Sequence, residues 1–193
     1  MAQLESIIFI TGGVRSGKSR FAEKLTADIW KKSKTGRLHY IAAMQPSDTE
    51  MTDRILKHRE DRNQSGLDWN TWEKPVSIGE LAAFFHQQDV VLLDCLTTWL
   101  NNELFFEEDN WQKENFLADL FEVMWDGVVL IAQKVRTLVI VSNEVLNEPI
   151  ASNELVFQYS RLLGKLHQRI VASASRAFLV ESGIPLEMKG VVK

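Results

Sequence analysis

Only one cysteine, Cys95, stands in the chain, so no intrachain disulfide can form and no metal site built on several thiolates is available. Long apolar runs are missing too. None approaches the roughly 20 residues needed to cross a bilayer, and no membrane span is expected. Basic residues are not in excess: 22 Lys and Arg against 26 Asp and Glu give a formal charge of −4, which removes any general attraction to nucleic acid or an anionic membrane. A polyanionic ligand must therefore be held by local geometry. No basic segment with an apolar stretch and a cleavage site precedes the first strand, so no signal peptide is evident, and together with the lone cysteine this points to the cytoplasm. Internal repeats, low-complexity tracts and interdomain linkers are absent. The 193 residues suit a single domain, 1–193, with a substantial core.

What is present is concentrated near the start of the chain. Ile7-Ile8-Phe9-Ile10 reads as a buried strand, and Thr11-Gly12-Gly13-Val14-Arg15-Ser16-Gly17-Lys18-Ser19 after it contains G-x-x-x-x-G-K-S, the phosphate-binding loop. Its glycines let successive amides turn inward around an anion. Lys18 adds a full positive charge at the β- and γ-phosphates, and the Ser19 hydroxyl suits Mg²⁺. The stretch 20–30, free of Gly and Pro, reads as a helix whose N-terminus faces the same phosphates.

Downstream, strands are expected at 38–43, 90–94, 137–141 and 177–180. Helices are expected at 51–62 after the capping box Ser47-Asp48-Thr49-Glu50, at 78–86, at 96–106, at 110–133 and at 153–173. The segment 63–75 reads as a loop leading into a short extended piece anchored by Trp69 and Trp72, and 185–188 as a final extended piece after a turn at Ser182-Gly183. Alternating strands and helices imply an α/β fold, a mostly parallel sheet with helices on both faces.

Two residues stand out for chemistry. Asp94 ends an apolar strand downstream of the phosphate loop, where a nucleotide-binding fold places the carboxylate that orients Mg²⁺; an ordinary strand-ending Asp that caps the next helix is the plain alternative, and both roles can coexist. His58 shares a helical face with Met51, Ile55 and Arg62 and has Arg54 and Arg62 about one turn to either side. Flanking arginines can clamp phosphate oxygens, and a neutral imidazole can attack an α-phosphate. Spacing alone equally allows a packing histidine. His39, His86 and His167 lack companions at metal-ligand spacing and read as structural. The tryptophans, Trp99 and Trp125 included, read as core or interface anchors, and Glu107-Glu108-Asp109 as a solvated loop.

These blocks, with Tyr40-Ile41-Ala42, Arg54-Ile55 before His58, Asp94-Cys95-Leu96-Thr97-Thr98, Asn143-Glu144-Val145 and Ser182-Gly183-Ile184-Pro185-Leu186, resemble the bifunctional adenosylcobinamide kinase/adenosylcobinamide-phosphate guanylyltransferase family of cobalamin biosynthesis. They run in that family's order from Ile7 to Lys189. The resemblance implies a P-loop NTPase fold with a RecA-like sheet, a homotrimer whose subunit boundaries help form the site, and two reactions. Adenosylcobinamide is phosphorylated by ATP or GTP, and GMP then passes from GTP to that phosphate through a histidine that matches His58. It further implies nucleotide contacts at Gly12, Gly13, Val14, Arg15, Ser16, Gly17, Lys18 and Ser19, at Ala42, Ala43 and Met44, at Arg59, Glu60, Asp61 and Arg62, and at Glu73 and Asp94. Ser19 and Asp94 would hold Mg²⁺, and Lys18 would share in catalysis. The chain departs from the family's common pattern at Leu146 and Asp61, where glycine is frequent or known, and at His167-Gln168, where Asn-Gln is frequent. A P-loop kinase in which His58 only contacts phosphate, and a nucleotide-binding regulator without turnover, are the alternative functions.

Overall fold

The computed structural model describes residues 4–44, 56, 60, 62, 64–106, 110–144 and 153–190. Its elements are β1 (Leu4–Gly12), α1 (Lys18–Ser33), β2 (Leu38–Ala42), β3 (Trp69–Glu73), a 3₁₀ segment (Ile78–Phe84), β4 (Val90–Asp94), α2 (Leu96–Leu104), a 3₁₀ turn (Asn110–Gln112), α3 (Phe116–Lys134), β5 (Thr137–Asn143), α4 (Glu154–Ser173), β6 (Ala174–Glu181) and β7 (Ile184–Lys189). The strands form one seven-stranded sheet in the order β3-β2-β4-β5-β1-β6-β7. Every pairing is parallel except the closing β6–β7 hairpin.

The central strands are near-continuous apolar runs because both faces are covered. All five residues of β4 are buried. Alternate side chains go to opposite faces: Phe9, Ile41, Leu93 and Ile140 join the core that includes residues of α2, α3 and α4, whereas Ile10, Tyr40, Leu92 and Val141 meet Ala22, Phe21 and Leu25 of α1. Helices on both faces of a mostly parallel sheet are as expected; the extended piece expected at 185–188 is an antiparallel edge strand. Among the described residues no helix is long and apolar enough to cross a membrane.

Several boundaries differ from the sequence reading. The piece around Trp69 and Trp72 is a full strand at the sheet edge, paired in parallel with β2 from Leu38↔Trp69 to Ala42↔Glu73. The helix expected over 110–133 is broken, because Asn115 takes φ 66° and α3 starts only at Phe116. The helix expected at 78–86 is a tighter 3₁₀ segment ending at Phe84, with Gly79 pressed on Gly127 of α3; a Cβ on Gly79 would stand 2.7 Å from the Gly127 Cα.

At the N-terminal edge of the sheet a buried polar network replaces apolar packing. Asp89 accepts from the backbone amides of Arg37 (2.7 Å) and His86 (2.8 Å), and His39 Nε2 lies 3.3 Å from its carboxylate. Trp72 Nε1 donates to His39 Nδ1 at 3.0 Å, which assigns the His39 proton to Nε2. Burial lowers the His39 pKa. At 2.7 Å from Ser142 Oγ, buried His167 is held against the Phe9 ring, and burial pushes its pKa down to about 4. Both histidines are structural, as their isolation in the sequence suggests.

Candidate active site

The parallel strands β1, β2, β4 and β5 all end on one edge, where Gly12 stands beside Asn143 and Ala42 between Glu73 and Asp94. In open α/β sheets that edge is where ligands bind. The phosphate loop leaves it from Gly12 and enters α1 at Lys18. Its shape is held by its own backbone: Ser16 N donates to Gly13 O (3.2 Å), and buried Lys18, 7% exposed, reaches the same carbonyl through Nζ at 3.1 Å. Arg15 and Gly17 both take positive φ, 61° and 88°, the alternation that aims consecutive amides at one point. Gly17 is the N-cap and offers no side-chain acceptor, and the first turn of α1 holds no acidic residue, so neither the cap nor the first turn neutralises the positive end of the helix.

The loop is buttressed from behind. Gly183, in the β6–β7 turn, donates its amide to Ser16 O at 2.8 Å, and a Cβ on Gly17 would come within 3.2 Å of the Gly183 Cα. A Cβ on Gly12 would collide with the Val180 carbonyl. Gly13 is different: nothing lies within 4 Å of its Cβ position, on the exposed side of the loop.

The Asp94 carboxylate, at the end of β4, accepts from the Tyr40 hydroxyl at 3.2 Å. Burial, then the Asp94 charge, raise the Tyr40 pKa well above 10, so this hydroxyl stays a donor. Over the opposite side of that network Arg62 lays its guanidinium 3.7 Å from the centre of the Tyr40 ring, with Nη1 3.5 Å from Glu23 of α1. Cys95 follows Asp94, its Sγ 3.0 Å from Thr97 Oγ1 and 3.1 Å from Thr98 Oγ1. Burial and the Asp94 charge raise its pKa, which keeps it a thiol and a poor nucleophile. Asn143 Nδ2 donates to Thr97 Oγ1 at 3.0 Å, and Tyr159 OH to Thr97 O at 3.1 Å, tying the first turn of α2 to the end of β5 and to α4. Burial pushes the Tyr159 pKa up to about 12.

A family profile described as cobinamide kinase / cobinamide phosphate guanyltransferase matches residues 8–188. The chain belongs to that family. The bifunctional adenosylcobalamin biosynthesis protein CobU of Escherichia coli (strain K12) is 32% identical over 189 residues, covering 95% of this chain and 99% of that protein. CobP of Pseudomonas aeruginosa, of the same description, is 32% identical over 185 residues, covering 94% and 96%. Among solved structures, the flagellar accessory protein FlaH from Methanocaldococcus jannaschii is 15% identical with a TM-score of 0.48, covering 96% of this chain and 78% of that one. The phosphate loop between β1 and α1 of a mostly parallel sheet makes the fold that of a P-loop NTPase. One strand, β5, separates β1 with the loop from β4 with Asp94, the RecA-like arrangement.

In this cobinamide kinase / guanyltransferase family member the sites expected at Gly12 to Ser19, at Ala42, Ala43 and Met44, at Glu73 and at Asp94 all lie on or beside that sheet edge. Glu60 is exposed and Arg62 is buried. His58, Arg54, Arg59, Asp61, Leu146, the capping box at 47–50 and the acidic run at 107–109 lie outside the described residues. The Ser19 hydroxyl and the Asp94 carboxylate are hard oxygen donors of the kind Mg²⁺ takes while keeping waters and substrate phosphates, and among the described residues no group of three or more His, Cys, Asp or Glu forms a self-sufficient metal cage. The donor set therefore fits a nucleotide-borne Mg²⁺. Sequence reasoning named Tyr40, Thr97 and Asn143 only within the family blocks and Glu23 not at all, and gave none of them a place beside Asp94. Strand alternation puts Tyr40 on the α1 face, but its pairing with Asp94 spans distant segments and leaves no local signal.

Proposed function

We propose that this enzyme phosphorylates the aminopropanol hydroxyl of adenosylcobinamide with ATP or GTP and then transfers GMP from GTP to the new phosphate, giving adenosylcobinamide-GDP and pyrophosphate. The observation that carries the reading is an intact phosphate loop at the same sheet edge as Asp94, in a chain matched to the family over residues 8–188. Lys18 and the loop amides bind the β- and γ-phosphates and neutralise charge that develops on the leaving group. Ser19 and Asp94 would hold Mg²⁺, which would supply further charge neutralisation on the phosphates. Contacts from Val14, Arg15, Ala42 to Met44, Arg59 to Arg62 and Glu73 complete the nucleotide site, and the enzyme works as a cytoplasmic homotrimer.

In the second reaction an imidazole nitrogen of His58 attacks the α-phosphorus of GTP. A P–N bond forms, the bond to the bridging oxygen breaks, and pyrophosphate leaves. A phosphate oxygen of adenosylcobinamide phosphate then attacks the same phosphorus, the P–N bond breaks, and His58 is regenerated. The test is incubation with α-labelled GTP and Mg²⁺ followed by intact-mass analysis, beside His58→Ala. A GMP-sized adduct on the wild type alone supports the histidine route. Absence of an adduct while GTP demonstrably binds sinks guanylyl transfer through histidine and leaves the kinase.

A further inference from the structure

Two stretches of chain run on past the ligand-binding edge beside Asp94, one from β2 through Ala43 and Met44, the other from β3 through Lys74 and Pro75. The paired register of β2 with both its neighbours ends at Ala42. Just beyond it Ala43 N bonds Asp94 O at 3.2 Å and Lys74 N bonds Ala42 O at 3.1 Å. Where strand pairing stops, the course of the backbone is set by whatever groups catch its donors and acceptors. The carbonyls here are caught by one side chain: Asn102 Nδ2 of α2 donates to Ala43 O at 2.8 Å and to Pro75 O at 3.1 Å. A carbonyl only accepts, so both hydrogens of the amide nitrogen are used and the carboxamide has one orientation.

The helix that presents Asn102 is itself rooted at the site. α2 starts at Leu96, two residues after Asp94, and its first turn is bound to β5 and α4 through Thr97. The next residue, Glu103, adds a second hold, its Oε1 accepting from Ser77 N at 2.6 Å and from Trp99 Nε1 at 2.8 Å. Ala43, Pro75 and Ser77 are thus fastened to the helix that follows Asp94. In the sheet, β4 and β5 stand between β2 and β1, so three strand spacings, roughly 14 Å, separate β2 from the strand that feeds the phosphate loop. A nucleotide whose phosphates lie on that loop meets the exits of β2 and β3 with its nucleoside part.

We propose that Asn102 is a positioning residue for the nucleotide: by bridging Ala43 and Pro75 it holds the exits of β2 and β3 in the shape that receives the nucleoside, and it does not act on the phosphates. This rests on the nucleotide site proposed above, which includes Ala42 to Met44 and Glu73. Without the bridge the two exits must be ordered at the moment of binding, which weakens affinity for the part of the ligand they meet and leaves the grip of the phosphate loop intact.

The experiment compares two ligands, GTP and inorganic tripolyphosphate, on full-length wild type and Asn102→Ala with Mg²⁺ present. The Kd of GTP is measured by calorimetry and that of tripolyphosphate by its competition with GTP. A positioning role raises the Kd of GTP about tenfold in Asn102→Ala while the Kd of tripolyphosphate changes less than about threefold. Equal weakening of both ligands means that Asn102 only supports the fold, and overturns the proposal. So does an unchanged Kd for GTP. If Asn102→Ala does not fold, Asn102→Leu, which keeps the branched shape and lacks the donor, decides by the same criterion. A wild type that binds GTP no more tightly than tripolyphosphate has no nucleoside contact to position; that result overturns the reading of the nucleotide site itself, and is distinct from a wild-type preference for GTP that survives the loss of Asn102.

Discussion

Two neighbouring glycines of the phosphate loop should fail in opposite ways when given a methyl group. In Gly12→Ala the new Cβ collides with the Val180 carbonyl and stands 2.7 Å from Ser16 Oγ. The carbonyl belongs to β6, which is hydrogen-bonded to β1, so backbone must move. Overpacking of this kind costs about 1–3 kcal/mol, and at this chain length each kcal/mol lowers Tm by roughly 2–4 °C. A fall of about 2–12 °C without nucleotide is expected. In Gly13→Ala the Cβ meets nothing within 4 Å and the residue has no positive φ; the apo Tm should hold or rise slightly, because alanine restricts the unfolded chain by about 0.4–1 kcal/mol. The space it fills is where the phosphates are proposed to sit. In the wild type, nucleotide at a hundred times Kd adds about 2.7 kcal/mol, equivalent to roughly 5–11 °C; Gly13→Ala should lose most of that shift. Thermal melts of both variants with and without GTP make the comparison. An apo Tm for Gly13→Ala as low as that of Gly12→Ala, or a full GTP shift in it, would refute the assignment of one glycine to the fold and the other to the ligand.

Burial holds the folded-state pKa of His167 near 4, below the ordinary 6.5, so the unfolded chain takes up a proton first as pH falls; stability is fully present above about pH 6.5 and lost toward pH 4, on the order of 3 kcal/mol in all and about 2 kcal/mol by pH 5. Urea unfolding at pH 7.5 and 5 should show that loss, and His167→Asn should flatten it. Trp99, fully buried and donating to Glu103 at 2.8 Å, should cost about 3–5 kcal/mol on truncation to Ala, read as a lower urea midpoint at unchanged slope. Asp94→Asn keeps an acceptor for Tyr40 but removes the charge proposed to hold Mg²⁺; on that proposal kcat for the kinase step should fall at least roughly 10²-fold and half-saturation by Mg²⁺ should move to higher concentration.

The sequence displayed those parts of the molecule whose causes are local. Val90 to Leu93 and Leu138 to Val141 are buried on both faces, so they appear as unbroken apolar runs, and the phosphate loop declares itself through spacing that its backbone requires. The edge strand β3 was read only as an extended piece, because Asn70, Thr71 and Glu73 interrupt its apolar pattern and its partner, β2, lies some thirty residues earlier. The break before α3 rests on one asparagine in a left-handed conformation, which composition alone does not distinguish from a helical residue. β6 begins at Ala174, directly after α4 ends at Ser173, so no turn residue marks the change. In the site, Asp94 was legible as the end of a strand. Tyr40, Glu23 and the seat of Arg62 were not, since each acquires its role from a residue far away along the chain.

The bond from Gly183 to Ser16 also sets an order of events during synthesis. The loop residues leave the ribosome well before the turn that braces them is made, since Gly183 follows Ser16 by more than 160 residues. At about 5–20 residues per second, roughly ten to thirty seconds separate the two. For that interval the growing chain carries the phosphate motif without its brace, and a nascent chain halted before Gly183 would possess the sequence signature while lacking the backing that shapes it. The proposed nucleotide site is in this sense completed late, although its motif is translated well before the turn that braces it.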